Sequence, residues 1–386
     1  MVHDVDVAVA GAGPAGATLA RHLSLAGLRV ALIEKQRLPR YKSCAGGIPI
    51  RTERLLDFPI DAVVEDTVDA LDITYLGRYR FRRDAGRPIA RMVMRDRFDA
   101  LLVQRACDAG AVLMEDTALR QVTRAGDRFR LETDHGCLTA SFVAGADGAN
   151  SRVGRSLGLG GGMFENVALE AEVRAPPPVL DRWRGLINLD LGYRPWGYAW
   201  IFPKADLLSI GLVLPAGGGP RLREDLDGYL DRLGLRDARI ERVVGHKIPA
   251  RRGEEPIAAD GVLLAGDAAG LTDEFTEEGI SYAVHSGRIA ARHILRADER
   301  GDRRLGAYQR AVDRAIMPEL RAARRIARLF YWSLHRSPWL IFQCSRRVPY
   351  LWSALFRVLR GESTYDRELS RWPFLSGFAR LLPASP

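Results

Sequence analysis

The most constraining stretch of this chain is its start. Val5 to Ala10 is an unbroken apolar run ending in Gly11, the pattern of a strand buried on both faces. Pro14 to Ala26 then repeats apolar residues at helical spacing through Ala15, Leu19, Leu23 and Ala26, and a second strand, Arg29 to Ile33, ends in Glu34. Strand, turn, helix and strand in so short a span make a βαβ unit. Its turn reads GAGPAG, with Gly11, Gly13 and Gly16 in the GxGxxG pattern. The first glycine permits a tight turn, the second lets backbone approach a pyrophosphate, and the third lets helix and strand pack closely. The phosphate then rests on the free N–H groups of the helix N-terminus, and Glu34 is placed to accept hydrogen bonds from a ribose.

A second glycine-acid element lies far downstream. A strand from Gly261 to Ala265 runs into GDAAG (266–270), where Asp267 brings a carboxylate to a turn and the small residues after it allow close approach of a bound group. Gly279 opens the next helix, expected from about Glu278 to Arg296, whose N-terminal amides suit negative charge on a reduced ring. An NAD-only domain has no need of this distant element, so FAD is the expected cofactor. The plainer alternative for GDAAG is a helix N-cap by Asp267.

Composition narrows the rest. The chain has 386 residues, 47% hydrophobic and 27% charged, enough for one large core or two medium ones. Its net charge of +9 comes almost wholly from arginine, the lysines being Lys35, Lys42, Lys204 and Lys247 alone, so the charge does not by itself argue for nucleic acid. Cys44, Cys107, Cys137 and Cys344 stand far apart, without a CxxC pair, which argues against a metal site or disulfide framework and for a reducing compartment. Residues 1–10 run straight into the first strand without the pattern of a secretory leader, so secretion is not expected, and no run approaches the roughly 18 apolar residues that span a bilayer. The expected location is the cytoplasm, at or near the inner face of the membrane.

Along the chain, residues 38–49 read as an irregular Pro/Gly-rich loop, 70–94 as two strands joined by a basic turn, and Phe98 to Ala109 as a helix. Alternating strands from about 164 to 250, with one helix near 221–233, suggest a second domain. Beyond Asp302 the chain reads as mostly helical. The expected architecture is α/β with an α+β substrate domain. A discontinuous Rossmann-like domain takes in 1–69, 94–160 and 255–310; an antiparallel-sheet substrate domain, 70–93 and 161–254; and a C-terminal helical region, 311–386.

Taken in order, GAGPAG (11–16), KSCAGGIP (42–49), RDRFD (95–99), GADGANS (145–151), YAWIFP (198–203), GDAAGLTDEFTEEGISYAVHSG (266–287) and RGESTY (360–365) resemble the geranylgeranyl reductase family, within the flavoproteins built like p-hydroxybenzoate hydroxylase. The resemblance implies FAD held by Gly11, Gly13, Ala15, Gly16, Glu34, Lys35, Cys44, Ala45, Gly46, Arg95, Asp147, Gly266, Asp267, Gly279 and Ile280, with Gly47 and Gly148 bordering it. Tyr198, Trp200, Phe202 and Pro203 would wall an apolar tunnel for substrate. Independently of family, Tyr198, Trp200 and Phe202 fall on one face of a strand, suited to an isoprenoid chain or, equally simply, to a core. The family usually reads N-P-x-T-G-E-G where this chain has Asp273 to Gly279, with Glu277 in place of a glycine.

The implied reaction is reduction of isolated trisubstituted alkenes in a polyprenyl chain on a lipid, chlorophyll-type or quinone substrate. Hydride must go to one carbon and a proton to the other, and Cys44, Glu278 and Tyr198 are the candidate proton donors. NADPH or reduced ferredoxin would supply the electrons, ferredoxin as a docking redox partner. In 319–332 Leu320, Ala323, Ile326 and Phe330 form one helix face and Arg321, Arg324, Arg325 and Arg328 another, as expected equally of a peripheral membrane helix and of a helix packed on the FAD domain with a solvated basic face. The competing expectations are a flavin-dependent hydroxylase or halogenase of the same architecture and a non-redox flavoprotein such as a cyclase. Neither the oligomeric state nor the prenyl acceptor follows from the sequence.

Overall fold

The structure is a computed structural model that describes residues 3–191, 197–215, 221–253 and 255–372. The chain divides into two compact units, each assembled from three separated segments.

The first unit comprises residues 1–41, 96–164 and 249–320. Its sheet runs, in spatial order, 258–259, Val262–Leu264, Gly136–Gly145, His3–Ala10, Val30–Ile33 and Val112–Met114. All neighbours from Val262–Leu264 onward are parallel. The hairpin strands Leu119–Ala125 and Arg128–Thr133 extend from Gly136–Gly145. Val7, Val9, Leu32, Val143, Leu263 and Leu264 are all fully or almost fully buried, as parallel strands covered on both faces must be. The helices Pro14–Leu25 and Ile280–Glu299 belong to this unit. This is the expected doubly wound fold. Its parallel strands end together at Ala10, Ile33, Gly145 and Leu264, so Gly11, Glu34, Asp147 and Gly266, remote in sequence, emerge along one edge.

The second unit comprises residues 42–95, 165–248 and 321–386. Its seven-stranded sheet has the order Arg239–Ala250, Phe164–Arg174, Leu207–Pro215, Tyr198–Pro203, Leu186–Leu191, Ala70–Tyr75, Tyr79–Asp84. From Phe164–Arg174 onward it is antiparallel except where Leu186–Leu191 runs parallel to Ala70–Tyr75. One face carries Ala171, Val173, Ala199, Ile201, Leu208, Ile210 and Leu212 against Leu226, Tyr229 and Leu230 of the helix Leu222–Arg232, forming the core of the unit.

Two local expectations are corrected. The basic stretch between the first pair of strands is itself a strand, Tyr79–Asp84, in which Phe81 alone is buried; a single inward aromatic suffices for an edge strand whose Arg80 and Arg82 are exposed and whose Arg83 lies over the Phe81 ring. Gly47–Pro49, read as loop, pairs antiparallel with Ala90–Val93, which in turn pairs with Val64–Val68. Residues 42–69 and 321–386, expected with the dinucleotide domain and as a separate C-terminal region, fall in the second unit. There the rings of Trp339 and Phe342 pack on Tyr79 and Phe81, within one to two ring widths.

Candidate functional site

In the first unit the three motif glycines do different work. Gly11 has φ of +95° and receives the GADG strand so closely that a Cβ there would lie 2.3 Å from the carbonyl oxygen of Ala146. A Cβ on Gly16 would lie 1.9 Å from the Gly11 oxygen, so only glycine lets the helix sit on the turn. At Gly13 a Cβ meets nothing nearer than an Arg40 nitrogen at 3.9 Å. Neither turn nor packing demands glycine at that position. The space it leaves is a cradle at the N-terminus of the helix Pro14–Leu25, which no side chain caps.

Glu34 is buried at the end of the second strand. Its Oε2 accepts the Ala12 N–H at 3.1 Å and faces the Arg40 guanidinium at 3.2 Å, and Arg40 in turn holds Asp99 at 2.9 Å. The acid is therefore fixed by the glycine turn itself. Lys35 is exposed. Asp147 spends its carboxylate on the helix Arg152–Leu157, accepting from the Ser151 hydroxyl at 2.6 Å and the Arg152 and Val153 amides at 2.5 and 3.2 Å.

The downstream element joins the same place. Ala15, Ala146, Ala265 and Ala283 pack together, one small residue from each of GAGPAG, GADGANS, the strand before GDAAG and the helix after it. Gly266, at φ +60°, would set a Cβ 3.0 Å from that of Ala15. Gly279 precedes the helix Ile280–Glu299, and a Cβ there would lie 3.4 Å from Asp267 Oδ1 and 3.2 Å from Thr272 Oγ1. That Thr272 oxygen is buried with no hydrogen-bond partner among the described residues. An open cradle at Gly13 and an orphaned hydroxyl beside Asp267 and Gly279 fit a polar dinucleotide bound across both elements.

Between them, Asp273 to Gly279 close a tight loop. Asp273, fully buried, accepts the Phe275 and Thr276 amides at 2.6 and 3.2 Å and the Thr276 hydroxyl at 2.7 Å. Glu277 stands at φ +58°, the left-handed region that suits glycine, where the related pattern has one. The carboxylate of Glu278, a candidate proton donor, caps the next helix through the Ser281 amide at 2.7 Å.

The second unit brings together the cysteine loop and the aromatic strand. Tyr198, Trp200 and Phe202 point away from the helix-covered core, since their neighbours Ala199 and Ile201 supply it. Trp200 is nevertheless buried, lying over Gly211 of the adjacent strand: a Cβ at Gly211 would fall 2.2 Å from its Cζ2. Gly47 meets Phe202 similarly at 2.8 Å. The half-buried Cys44 accepts the Gly46 N–H on Sγ at 3.4 Å, and Gly46 binds Val93 through its carbonyl at 2.9 Å. Arg95 is buried at the start of the helix Arg95–Asp108, and Pro203 ends the aromatic strand.

Sequence reasoning passed over four residues here. The Trp200 indole N–H donates to Ser209 Oγ at 3.3 Å, Ser209 donates to Glu170 at 2.6 Å, and Ser43 donates to the other oxygen of Glu170 at 3.1 Å. Lys204 Nζ donates to the Ala45 carbonyl at 2.6 Å. Glu170, Ser209, Lys204 and Gly211 carry no motif of their own; the only available signal was a charge inside apolar strands.

Comparison with known proteins accords with this geometry. An FAD binding domain family matches residues 4–185. The geranylgeranyl diphosphate reductase of Rhodobacter capsulatus is 33% identical over 74% of each chain. The digeranylgeranylglycerophospholipid reductase of Thermoplasma volcanium is 30% identical over 80% of this chain and 83% of its own. The chain belongs to the geranylgeranyl reductase family. It is an FAD-dependent oxidoreductase. A geranylgeranyl bacteriochlorophyll reductase-like protein of Thermoplasma acidophilum shares the fold over 99% of this chain and 100% of its own, with a TM-score of 0.76 at 22% identity. No helix among the described residues is long and apolar enough to cross a membrane, and none of their His, Cys, Asp and Glu side chains cluster to hold a metal.

Proposed function

We propose that this member of the family saturates isolated C=C bonds of a geranylgeranyl or related polyprenyl chain. One observation carries the reading: a strand that turns Tyr198, Trp200 and Phe202 away from its own unit's helix-packed core, beside the cysteine loop. Such a face, with one indole fixed by a hydrogen bond, offers a long apolar contact without hydrogen-bond demands on the substrate. Reduced FAD, when bound, supplies the hydride for one alkene carbon. In this reading the Gly11 to Gly16 turn, Ala15, Glu34, Lys35, Asp147, Gly266, Asp267, Gly279 and Ile280 hold it, with Cys44, Ala45, Gly46 and Arg95.

The chain's own task is to hold the alkene still, exclude water and deliver a proton to the second carbon. Cys44 and Tyr198 remain the proton donors of choice, since Glu278 is committed to its helix cap. Electrons enter from NADPH or a reduced ferredoxin.

The polyprenyl substrate is collected at a membrane surface, though by a different segment from 319–332. There Leu320 and Ala323 are buried, so that apolar face is used inside the protein. Trp339, Leu340, Val348 and Leu351 are exposed instead, beside the exposed Arg346 and Arg347. These side chains have the composition of an interfacial anchor.

A single assay tests the reading. The FAD-loaded protein is reduced anaerobically with dithionite and given a geranylgeranyl lipid in anionic or neutral vesicles, with an aerobic phenolic acceptor in parallel. The expected products carry two added hydrogens per double bond and form faster on anionic vesicles, the advantage fading with salt. An unchanged lipid together with a hydroxylated or halogenated phenol would overturn it.

A further inference from the structure

Glu170 and Lys204 are each 3% exposed, within the same unit. Lys204 directly follows the aromatic strand, and its backbone N–H donates to the Leu207 carbonyl at 2.8 Å, at the start of the neighbouring strand Leu207–Pro215. Its ammonium reaches back to the Ala45 carbonyl. Glu170, one strand further away, holds Ser43 with one oxygen and, through Ser209, the Trp200 indole with the other. Both charges thus end on the same short loop, 43–45, and both start from the sheet that carries Trp200.

Two buried charges are not a natural choice for stability. Desolvating them costs several kcal/mol per ion, roughly, and an apolar pair of the same volume is often as stable or more so. Burial pushes the Lys204 ammonium down to about 8, opposed by the charges of Glu170, Cys44, Glu65 and Glu172 around it, so the lysine bears this cost in place. What charges provide and an apolar pair does not is direction: a carboxylate with two separately committed oxygens, and an ammonium aimed at one carbonyl.

We propose that Glu170 and Lys204 are positioning residues, a buried charge pair that clamps the Cys44 loop to the Trp200 strand so that the two move as one element. The pair sets where the Cys44 thiol stands relative to the aromatic face, and neither residue touches the reacting atoms. Its effect on turnover rests on the prenyl-reductase reading; its effect on the rigidity of the loop does not.

The test is hydrogen exchange by mass spectrometry on the full-length, FAD-loaded protein and on Lys204→Met, Glu170→Gln and the double variant. Each single substitution removes one of the two charges that anchor the 43–45 loop, so peptides covering 42–48 should exchange about tenfold faster, while those covering 280–299 keep the wild-type rate. In the double variant neither charge remains, and its 42–48 exchange should lie nearer to wild type than that of either single variant. Wild-type exchange in both single variants, a uniform rise across all peptides, or strictly additive effects in the double variant would each overturn the clamp. Should Lys204→Met not fold, Ser43→Ala removes one arm without touching a charge; unchanged exchange over 42–48 in that variant also overturns it. On turnover, the single variants should lower kcat with lipid KM and FAD content held. A wild-type protein that leaves the prenyl chain unsaturated sinks the proposed reaction and leaves the exchange result standing.

Discussion

The glycine junction of the first unit and the aromatic strand of the second solve the same problem, fixing a reactive surface, by opposite means. At the junction the chain removes side chains: Gly11, Gly16 and Gly266 exist so that backbones can meet, and four alanines seal the contact. At the aromatic strand the chain adds side chains, a relay from Trp200 through Ser209 and Glu170 to Ser43 that spans strands far apart in sequence. A surface built from missing atoms tolerates no substitution at its contacts, whereas one built from hydrogen bonds loosens by degrees.

The largest expected effect separates two glycines of one turn. Gly16→Ala drives a methyl into the Gly11 carbonyl and should cost about 3 kcal/mol or more, read as a fall in the urea midpoint at unchanged slope. Gly13→Val meets only the end of the Arg40 side chain, at ordinary contact distance from its Cβ, so the variant should fold with near-native stability and purify colourless, its FAD lost on gel filtration. A yellow Gly13→Val protein, or an undisturbed Gly16→Ala protein, would break the distinction between the packing glycine and the binding glycine.

On the other side of the comparison, Trp200→Ala should lower kcat/KM for a prenyl lipid by a factor corresponding to about 2 kcal/mol, with FAD content unchanged. Gly211→Val, whose side chain would meet both the indole and the Leu169 carbonyl oxygen, should lower stability as well as turnover. If either change reduces melting temperature alone and leaves the kinetics of the folded fraction intact, the aromatic face is core and nothing more.

The smallest expected effect concerns Glu277. Holding a non-glycine residue in the left-handed region costs roughly 1 kcal/mol, so Glu277→Gly should raise the melting temperature by a few degrees at most. An unchanged or lowered melting temperature would show that the Asp273 hydrogen bonds, rather than residue 277, decide the shape of that loop.

The same contrast explains what the sequence disclosed. The first unit was legible because its constraints are local: a buried strand, a glycine at a fixed offset and an acid at the next strand's end each leave a mark within a few residues. Even the distant GDAAG element announces itself by a strand, a turn and a helix. The second unit's fold was visible only as alternation, and the edge strand Tyr79–Asp84 escaped because three of its six residues are arginine. Trp200 and Cys44 drew attention because they lie in recognisable segments. Glu170 and Lys204 were not, because what marks them is the burial of a charge, and burial belongs to the tertiary structure. Glu278, chosen by its chemistry as a candidate proton donor, also accepts the Ser281 amide at the start of the next helix, a contact the sequence did not disclose.

The division of each unit into three segments has a consequence for how the chain is made. The strand Val262–Leu264 lies beside Gly136–Gly145, and the helix Ile280–Glu299 shares the alanine junction with the first turn of the protein. During synthesis the opening βαβ segment therefore leaves the ribosome long before its last partners exist, and completes its sheet only when residues 249–320 have followed. The second unit waits longer, for 321–386. Such non-local pairing makes folding slow and exposes unpaired strand edges meanwhile. Production at low temperature, with chaperones and excess FAD to capture the junction as it closes, should decide the yield of active protein more than any single surface substitution.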